Sequence, residues 1–222
     1  MLDWTAGYFR ENGSDQSRLE AEILLAEALG CPRIELYTRF DEEPAEKAKA
    51  VFRDWVSRHA EGEPVAYLVG HKEFFSLRFE VNGEVLIPRP ETEHLVTEAL
   101  DAIKKMSDAR PVHVIDVGTG SGCVAVAICK HAGKKNISMT ASDVSASALG
   151  VAARNAKRHA GADRITFVES DLLGGVSQPE SFHLIVSNPP YLGLSEKDEV
   201  DRSVLEFEPH EALFASGPEG TE

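Results

Sequence analysis

The stretch VHVIDVGTGSGCVAVAI, residues 112–128, decides the fold. An apolar run typical of a buried strand leads into three glycines at alternate positions, Gly118, Gly120 and Gly122, and then into an apolar helical segment. Glycine lets the backbone turn sharply and approach a ligand closely, and the start of a helix favours a negatively charged group. The spacing is not the G-x-G-x-x-G of dinucleotide sites. The stretch predicts a strand–turn–helix unit, whose turn is either a nucleotide-like binding loop or a plain tight turn.

Strands and helices alternate after this stretch. Further β-rich runs occupy residues 137–142, 165–169 and 182–187, and helical patterns separate the first three of the four runs. The third and fourth runs are joined by SDLLGGVSQPES. Such alternation predicts βαβ units and a mostly parallel sheet. In these sheets ligands bind at the carboxyl ends of the strands.

Polar residues follow each of the predicted strands. Asp143 ends the second strand, where an acid can accept hydrogen bonds from two ribose hydroxyls; alternatively, Asp143 or Ser145 only caps the next helix. Asp171 follows the third strand and either reaches an adenine edge or is an ordinary solvated acid. Asn188 follows the fourth. Because all of these strand ends fall on one edge of the sheet, we expect a single ligand site there.

The fourth strand runs directly into VSNPPYLG, residues 186–193. Two consecutive prolines cannot continue a sheet ladder, because neither has an N–H to donate. They also push Asn188 towards an extended conformation. The result is a stiff turn that holds one carboxamide in a fixed direction. By itself the motif is either a strand-terminating turn or a mount for a functional amide.

The first 70 residues have helical patterns. In SRLEAEILLAEALG, Ser17 and Glu20 have the spacing of a capping box, and Gly30 stands where a helix would end. In EPAEKAKAVFRDWVSRHAEG, Pro44 suits a first helical turn, and apolar residues recur at helical spacing. Residues 1–70 are therefore expected to form a small helical bundle.

Residues 71–88 change to an alternating pattern. Asn82-Gly83 is a strong two-residue turn signal, so a β-hairpin is expected to connect the bundle to the sheet. A helix then begins after PRP. Its early acids Glu91 and Glu93 either complement the helix dipole or help to shape the ligand site.

Composition excludes several classes of protein. The chain has 222 residues and a formal net charge of −14, which disfavours non-specific binding to a phosphate backbone. Its three cysteines form no C-x-x-C pair, and its eight histidines show no metal-ligand spacing. We expect no metal and no disulfide. The start of the chain shows no signal peptide, and no stretch is apolar for long enough to span a membrane, so a cytoplasmic location is predicted.

The order of motifs resembles that of S-adenosyl-L-methionine-dependent methyltransferases acting on an amide or amine nitrogen. The matching elements are D-x-G-x-G-x-G, the acid after strand two, S-D after strand three and N-P-P-Y after strand four. The segment PVAYLVGHKEFFSLRFEVNGEVLIPRPETEHLV, residues 64–96, together with the helical start, resembles the bacterial protein-(glutamine-N5) methyltransferases that modify class I peptide chain release factors. The resemblance extends from about residue 15 to about residue 220.

The resemblance implies an α/β fold with a Rossmann-like methyltransferase domain. It divides the chain into a helical substrate-recognition bundle (1–70), a β-hairpin connector (71–88) and the methyltransferase domain (89–222). In the family the catalytic sheet has seven strands. After Tyr191 only residues 192–222 remain, and FEPHEALFASGPEGTE shows no convincing strand. We therefore expect an incomplete sheet with an uncovered edge, a truncated chain and an uncertain activity.

The resemblance also implies the reaction. A methyl group passes from S-adenosyl-L-methionine to the side-chain amide nitrogen of the glutamine in the Gly-Gly-Gln loop of class I release factors, tuning translation termination, and S-adenosyl-L-homocysteine is released. Asn188 and the Pro189 carbonyl would hold the two amide hydrogens, and Tyr191 would pack against the amide. The release factor would be the partner of a monomer that contacts neither nucleic acid nor membrane directly.

Residue roles follow from the same resemblance. The catalytic residues would be Asn188, Pro189 and Tyr191, and these together with Pro190 would bind the substrate. The cofactor-binding residues would be Asp116, Gly118, Thr119, Gly120, Ser121, Gly122, Asp143, Asp171, Leu172 and Asn188.

Three other functions stay open at this stage. A glutamine methyltransferase of a ribosomal protein would share the catalytic motif. A nucleic-acid adenine-N6 methyltransferase would use N-P-P-Y to hold a flipped adenine; the acidic composition opposes it, and salt-dependent DNA binding would favour it. An inactive fragment that only binds a release factor would differ from these enzymes in cofactor binding.

Overall fold

The computed structural model describes residues 1–38, 41–107, 110–160 and 162–215. The chain forms two compact units. The first consists of Met1–Gly70 and Arg202–Phe207, and the second consists of His71–Asp201 and the residues from Glu208 onward. No helix in the described parts of the chain is both long and apolar enough to cross a membrane.

The first unit is helical. Phe9, Leu24 and Phe52 lie at the centre of its apolar core. The helices of this unit pack their apolar faces against one another, as the helical spacing of the apolar residues predicts. The helices are α1 (Leu2–Glu11), α2 (Ser17–Leu29), α3 (Glu35–Thr38), α4 (Glu46–Ala60), α5 (Val65–Val69) and the short helix Arg202–Phe207.

The predicted capping box at the start of α2 is wrong. Gln16 occupies the N-cap position without a side-chain cap, and Ser17 is buried inside the helix. Glu20 accepts a hydrogen bond from the Ser14 hydroxyl, and its Oε2 lies 3.2 Å from His59 Nε2. The glutamate therefore joins α2 to α4, and this tertiary contact has replaced the local cap.

Two other helix signals have different outcomes. Gly30 ends α2 in the left-handed conformation with φ +66°, as predicted. Pro44 precedes the N-cap residue Ala45 and so lies outside α4, not in its first turn.

The connector contains a hairpin, but its turn is not at Asn82-Gly83. Strand β1 (His71–Phe74) pairs antiparallel with β2 (Leu77–Glu80). The turn is Phe75-Ser76, and both residues have positive φ angles, 49° and 59°. This register places Phe74 and Phe79 on one face, where both are buried with ring centroids 6.0 Å apart. Residues 82–85 do form a turn, in which the Val85 amide donates to the Asn82 carbonyl at 3.1 Å, but this turn does not join two paired strands.

Glu93 explains how an unusual turn is held. Its Oε1 accepts a hydrogen bond of 2.8 Å from the amide of Phe75. Glu93 begins α6 (Glu93–Lys105). The acid at the start of this helix therefore anchors the hairpin turn.

The second unit is built on a four-stranded parallel sheet in the order β5-β4-β3-β6. Its strands follow one another to one side of β3, and β6 is added on the other side, so the topological switch lies between β3 and β6. Ligands bind at such switch points. The α/β prediction is confirmed. The elements are β3 (Val112–Val117), α7 (Cys123–His131), β4 (Ile137–Asp143), α8 (Ala146–His159), β5 (Ile165–Glu169) and β6 (Leu184–Ser187).

The chain beyond β6 adds one isolated bridge. Leu192 pairs in parallel with Phe214, and 3₁₀ turns lie at Leu194–Glu199 and His210–Ala212. No further strand is present in the described residues up to 215. The rest of the predicted strand-free segment, residues 216–222, lies outside the described residues.

Asn155 of α8 connects the hairpin to the glycine-rich turn. This buried side chain accepts a hydrogen bond from the Glu80 amide (2.8 Å) and donates to the Glu80 carbonyl (3.0 Å). The same amide group donates to the Ser121 carbonyl (2.9 Å). One side chain thus satisfies the backbone at the end of β2 and in the turn after β3.

We expect Asn155→Ala to lower the free energy of unfolding by roughly 2–4 kcal/mol, because it removes this partner from three backbone groups, one buried and two partly buried. Thermal and denaturant unfolding followed by circular dichroism would measure this change. Arg154→Ala is the matched control. It removes a more exposed contact with the same residue, the 2.8 Å ion pair with the Glu80 carboxylate, and should cost at most about 1 kcal/mol. Equal losses in the two variants would contradict this account of Asn155.

Candidate active site

The predicted site residues meet at one edge of the sheet. Because β3, β4, β5 and β6 are parallel neighbours, the loops that follow them lie side by side. The structure therefore brings together four loops. They are residues 118–122, 143–145, 170–172 and 188–191.

The glycine-rich loop after β3 is fastened to the end of β4. The amides of Gly118 and Thr119 both donate to the carbonyl of Ser142, each at 2.9 Å. The amide of Gly120 donates to Asp143 Oδ2 at 2.8 Å. The loop consequently has a fixed path across the ends of two strands.

The three glycines serve two purposes. All have positive φ angles, which L side chains rarely adopt. A Cβ at Gly118 or Gly120 would meet no atom within 4 Å, so both border open space. A Cβ at Gly122 would lie 2.9 Å from the Cβ of Ala152. Gly122 therefore permits close packing of α8, while the first two glycines form a cradle that a ligand can approach.

Asp143 lies between this loop and the start of α8. Besides the amide of Gly120, its carboxylate accepts a hydrogen bond from the Ser145 amide (3.0 Å). Ser145, and not Asp143, caps α8 through the Ala148 amide (3.2 Å). A carboxylate has about four acceptor positions, so the half-buried Asp143 keeps capacity for hydroxyl donors.

Asp116 supports the loop from within. It is buried, and its Oδ2 accepts hydrogen bonds from the Thr119 hydroxyl (2.7 Å) and the Ala125 amide (3.2 Å). Burial raises the pKa of Asp116 to about 7, and the nearby charge of Asp143 adds to this effect, while the two hydrogen bonds oppose it. The pKa of this carboxyl is thus perturbed by its structural environment.

Not every predicted cofactor residue presents its side chain to the open edge. The side chains of Asp116, Thr119 and Ser121 belong to buried residues beneath the loop. Asp116 and Thr119 stabilise the turn through their mutual hydrogen bond, and the assignment of these three residues to the cofactor site stays a prediction.

Two apolar side chains are exposed beside the cradle. Leu172, after β5, is 67% exposed and has a φ of +49°, and Val144, after β4, is 53% exposed. The loop carrying Leu172 is folded by Ser170, whose hydroxyl accepts from the Gly175 amide (2.8 Å) and donates to the Leu172 carbonyl (3.1 Å). Sequence reasoning missed Val144. The sequence feature that could have indicated Val144 is an apolar residue in the loop directly after Asp143, where solvent exposure is expected.

The N-P-P-Y segment leaves β6 next to the glycine-rich loop. The Ser187 hydroxyl donates to the Val117 carbonyl at 2.8 Å, which joins the ends of β6 and β3. Asn188 is half-buried, and within the described residues no hydrogen bond engages its carboxamide. Tyr191 is 70% exposed. Asn188 and Tyr191 therefore follow a strand end that is bonded to the start of the glycine-rich loop.

The titration of Asp116 gives a pH-dependent prediction. Its folded pKa of about 7 exceeds the ordinary 3.8, so between these values the folded state holds a proton that the unfolded chain releases. Stability should therefore fall as the pH rises from about 4 to 7. In Asp116→Asn the amide oxygen can still accept both hydrogen bonds, but nothing titrates. This variant should flatten the dependence and raise the free energy of unfolding at pH 8 by roughly 1–3 kcal/mol.

Denaturant unfolding over this pH range checks the prediction. Asp198→Asn, which changes an exposed acid of the same unit, is the control and should leave the pH dependence as it is. An unchanged slope in Asp116→Asn would refute the assignment.

Comparisons with known proteins agree with this architecture. Residues 1–70 match the family model described as the PrmC N-terminal domain, and residues 96–210 match the Methyltransferase small domain. A release factor glutamine methyltransferase of Rhodopirellula baltica is 51% identical, over 100% of this chain and 74% of that protein. Proteins of the same name from Nitratidesulfovibrio vulgaris and Leptospira interrogans are 43% and 38% identical. These two matches cover 90% and 98% of this chain, and 65% and 75% of the respective relatives.

The parallel sheet, the glycine-rich cradle and these matches over nearly the whole chain lead to one conclusion. The chain belongs to the family of release factor glutamine methyltransferases, with the fold of S-adenosyl-L-methionine-dependent methyltransferases.

Proposed function

We propose that this protein transfers a methyl group from S-adenosyl-L-methionine to the side-chain amide nitrogen of the glutamine in the Gly-Gly-Gln loop of class I peptide chain release factors. The observation that carries the proposal is the meeting of two loops. The hydrogen bond from Ser187 to the Val117 carbonyl brings the start of N-P-P-Y to the start of the glycine-rich loop. A methyl donor in the cradle and an amide on Asn188 would thus be neighbours.

The residues at the cradle fit the methyl donor. Gly118 and Gly120 border open space, and Asp143 keeps acceptor capacity for two ribose hydroxyls. The exposed side chains of Val144 and Leu172 would offer apolar surface for the adenine, and the exposed Asp171 would reach the edge of the base. When bound, the donor supplies a methyl group already activated by its sulfonium centre.

Asn188 and the Pro189 carbonyl would orient the substrate. An amide nitrogen is a poor nucleophile, because its lone pair is delocalised into the neighbouring carbonyl. The side-chain oxygen of Asn188 and the carbonyl of Pro189 can each accept one N–H of the substrate amide and so fix the direction of the nitrogen. Positioning and electrostatics then lower the barrier. The amide proton can leave to water after transfer, so no side-chain base is required.

The stiffness of the turn supports selectivity. Pro189 and Pro190 restrict the backbone that carries both acceptors. A substrate without two N–H groups would leave these acceptors unpaired, and sites of this kind can reject such analogues by as much as ~10⁴-fold. Tyr191, exposed beside them, would pack against the incoming side chain.

The names of the relatives favour a release factor over a ribosomal protein as the substrate. A net charge of −14 opposes a nucleic-acid substrate. We also propose a cytoplasmic monomer without direct nucleic-acid or membrane contacts, which sedimentation analysis and salt-dependent binding assays would test.

Substitution in the cradle should weaken cofactor binding. In Gly118→Ala the new Cβ enters the open space, and we expect calorimetry to show at least about tenfold weaker binding of S-adenosyl-L-methionine. Gly133→Ala is the matched control, because Gly133 also has a positive φ (+66°) and open space but lies between α7 and β4, at the opposite end of the sheet. Both variants should lose about 1 kcal/mol of stability. Equal cofactor affinity in the two would exclude the cradle as the binding site.

Asn188→Ala tests whether the Asn188 side chain orients the substrate amide. Loss of one acceptor that acts in the transition state should lower kcat by roughly 10²-fold or more. The assay is transfer of labelled methyl to a purified release factor, with mass spectrometry to locate the label. A release factor lacking the loop glutamine is the control and should take up none. Undiminished transfer by Asn188→Ala, or label on the control, would contradict the mechanism.

A further inference from the structure

Glu208 is a buried carboxylate outside the machinery described so far. Its side chain is only 1% exposed. Oε2 accepts a hydrogen bond from the amide of Ile87 at 3.0 Å, and Oε1 accepts one from Arg89 Nη2 at 2.6 Å. Both carboxylate oxygens thus bind the segment IPRPETE, residues 87–93, which leads into α6.

Arg89 is well placed to hold such a charge. It stands between Pro88 and Pro90, which restrict the backbone on both sides. The arginine is partly exposed, so its guanidinium bridges solvent and the buried carboxylate. A buried carboxylate needs such a partner, because an unpaired charge there is strongly destabilising. The ion pair therefore fixes the position of the backbone at Glu208 relative to Arg89.

The residues directly after Glu208 form a compact turn. The Pro209 carbonyl accepts from the Ala212 amide (3.0 Å), and the His210 carbonyl accepts from the amides of Leu213 (3.1 Å) and Phe214 (3.0 Å). The rings of His210 and Phe214 meet edge to face with centroids 5.8 Å apart. Because the turn is held by these contacts, the position of Glu208 constrains the position of residues 209–214.

This turn is bonded to the exit of the N-P-P-Y segment. The Leu192 amide donates to the Leu213 carbonyl (3.2 Å), and the Ala215 amide donates to the Leu192 carbonyl (3.0 Å). Leu192 directly follows Tyr191. At the entrance of the segment, Ser187 is already tied to β3. The segment is thus anchored at both ends.

We propose that Glu208 is a positioning residue for methyl transfer. By binding Ile87 and Arg89 it seats the turn 209–214 against Leu192, and so fixes the exit of the loop that carries Asn188 and Tyr191. Its role in turnover rests on the proposed function, whereas the anchoring itself does not. The IPRPETE segment thereby acquires a role that its local sequence pattern does not reveal.

Hydrogen exchange measured by mass spectrometry tests the anchor without requiring turnover. In Glu208→Gln the new NH₂ group faces either the Ile87 amide or the Arg89 guanidinium, both of which are donors, so one hydrogen bond is lost. In Arg89→Met the buried carboxylate of Glu208 loses its positively charged partner. In either variant we expect amide hydrogen exchange in residues 188–195 and 208–215 to accelerate by roughly tenfold or more, because the Glu208–Arg89 pair anchors both segments. Exchange in residues 116–122 should stay as in the unaltered protein.

Kinetics with a release factor provide the second readout. Both variants should lower kcat by roughly tenfold or more, because the acceptors lose their fixed direction. Glu22→Gln is the control: Glu22 is a buried carboxylate of the first unit that accepts hydrogen bonds from Arg18 and Arg33. It should lose stability without accelerating exchange in residues 188–195.

Three results would overturn the proposal. They are unchanged exchange in residues 188–195, equal acceleration in residues 116–122, and unchanged kcat despite faster exchange. If the unaltered protein methylates no release factor but the exchange pattern appears as expected, the anchor stands and the proposed function fails.

Discussion

The carbonyl of Ser142 accepts two amides of the glycine-rich loop, and the rest of the site depends on this contact. Gly118 and Thr119 can both reach it only because the chain turns with positive φ directly after β3. The loop then crosses the end of β4, where the Asp143 carboxylate takes the next amide. Gly118 and Gly120 are left facing open space. A cradle results whose walls come from two adjacent strands.

Much of this arrangement could be predicted from the sequence, because its signals are local. The alternation of strands and helices specifies a parallel sheet, and parallel strands place their carboxyl ends on one edge. Asp143, Asp171 and Asn188 could therefore be assigned to a common edge of the sheet from the sequence. The strict order of short motifs carried enough information for this step, and the proline pair indicated a fixed carboxamide.

Burial and long-range partners could not be predicted in the same way. The motif places Asp116 at the end of β3, but it does not reveal that the carboxyl is buried and accepts a hydrogen bond from Thr119. Asn82-Gly83 does form a turn, yet the paired strands of the hairpin are joined at Phe75-Ser76, where two phenylalanines are buried together. A local turn signal predicts a turn but not which strands pair across it, and burial of aromatic side chains favours one pairing. Glu208 carries no local signal, since Ile87 is 121 residues away.

Asn155 has a consequence for the order of folding. It joins Glu80, 75 residues earlier in the chain, to Ser121, 34 residues earlier. Contacts of such separation form only after long segments have been closed into loops, and this slows their appearance. The cradle can therefore reach its final shape only after both the hairpin and α8 have docked. During synthesis, a chain that has emerged as far as the glycine-rich loop would still lack the residue that completes it, so the ability to bind a methyl donor arises late in the maturation of the protein.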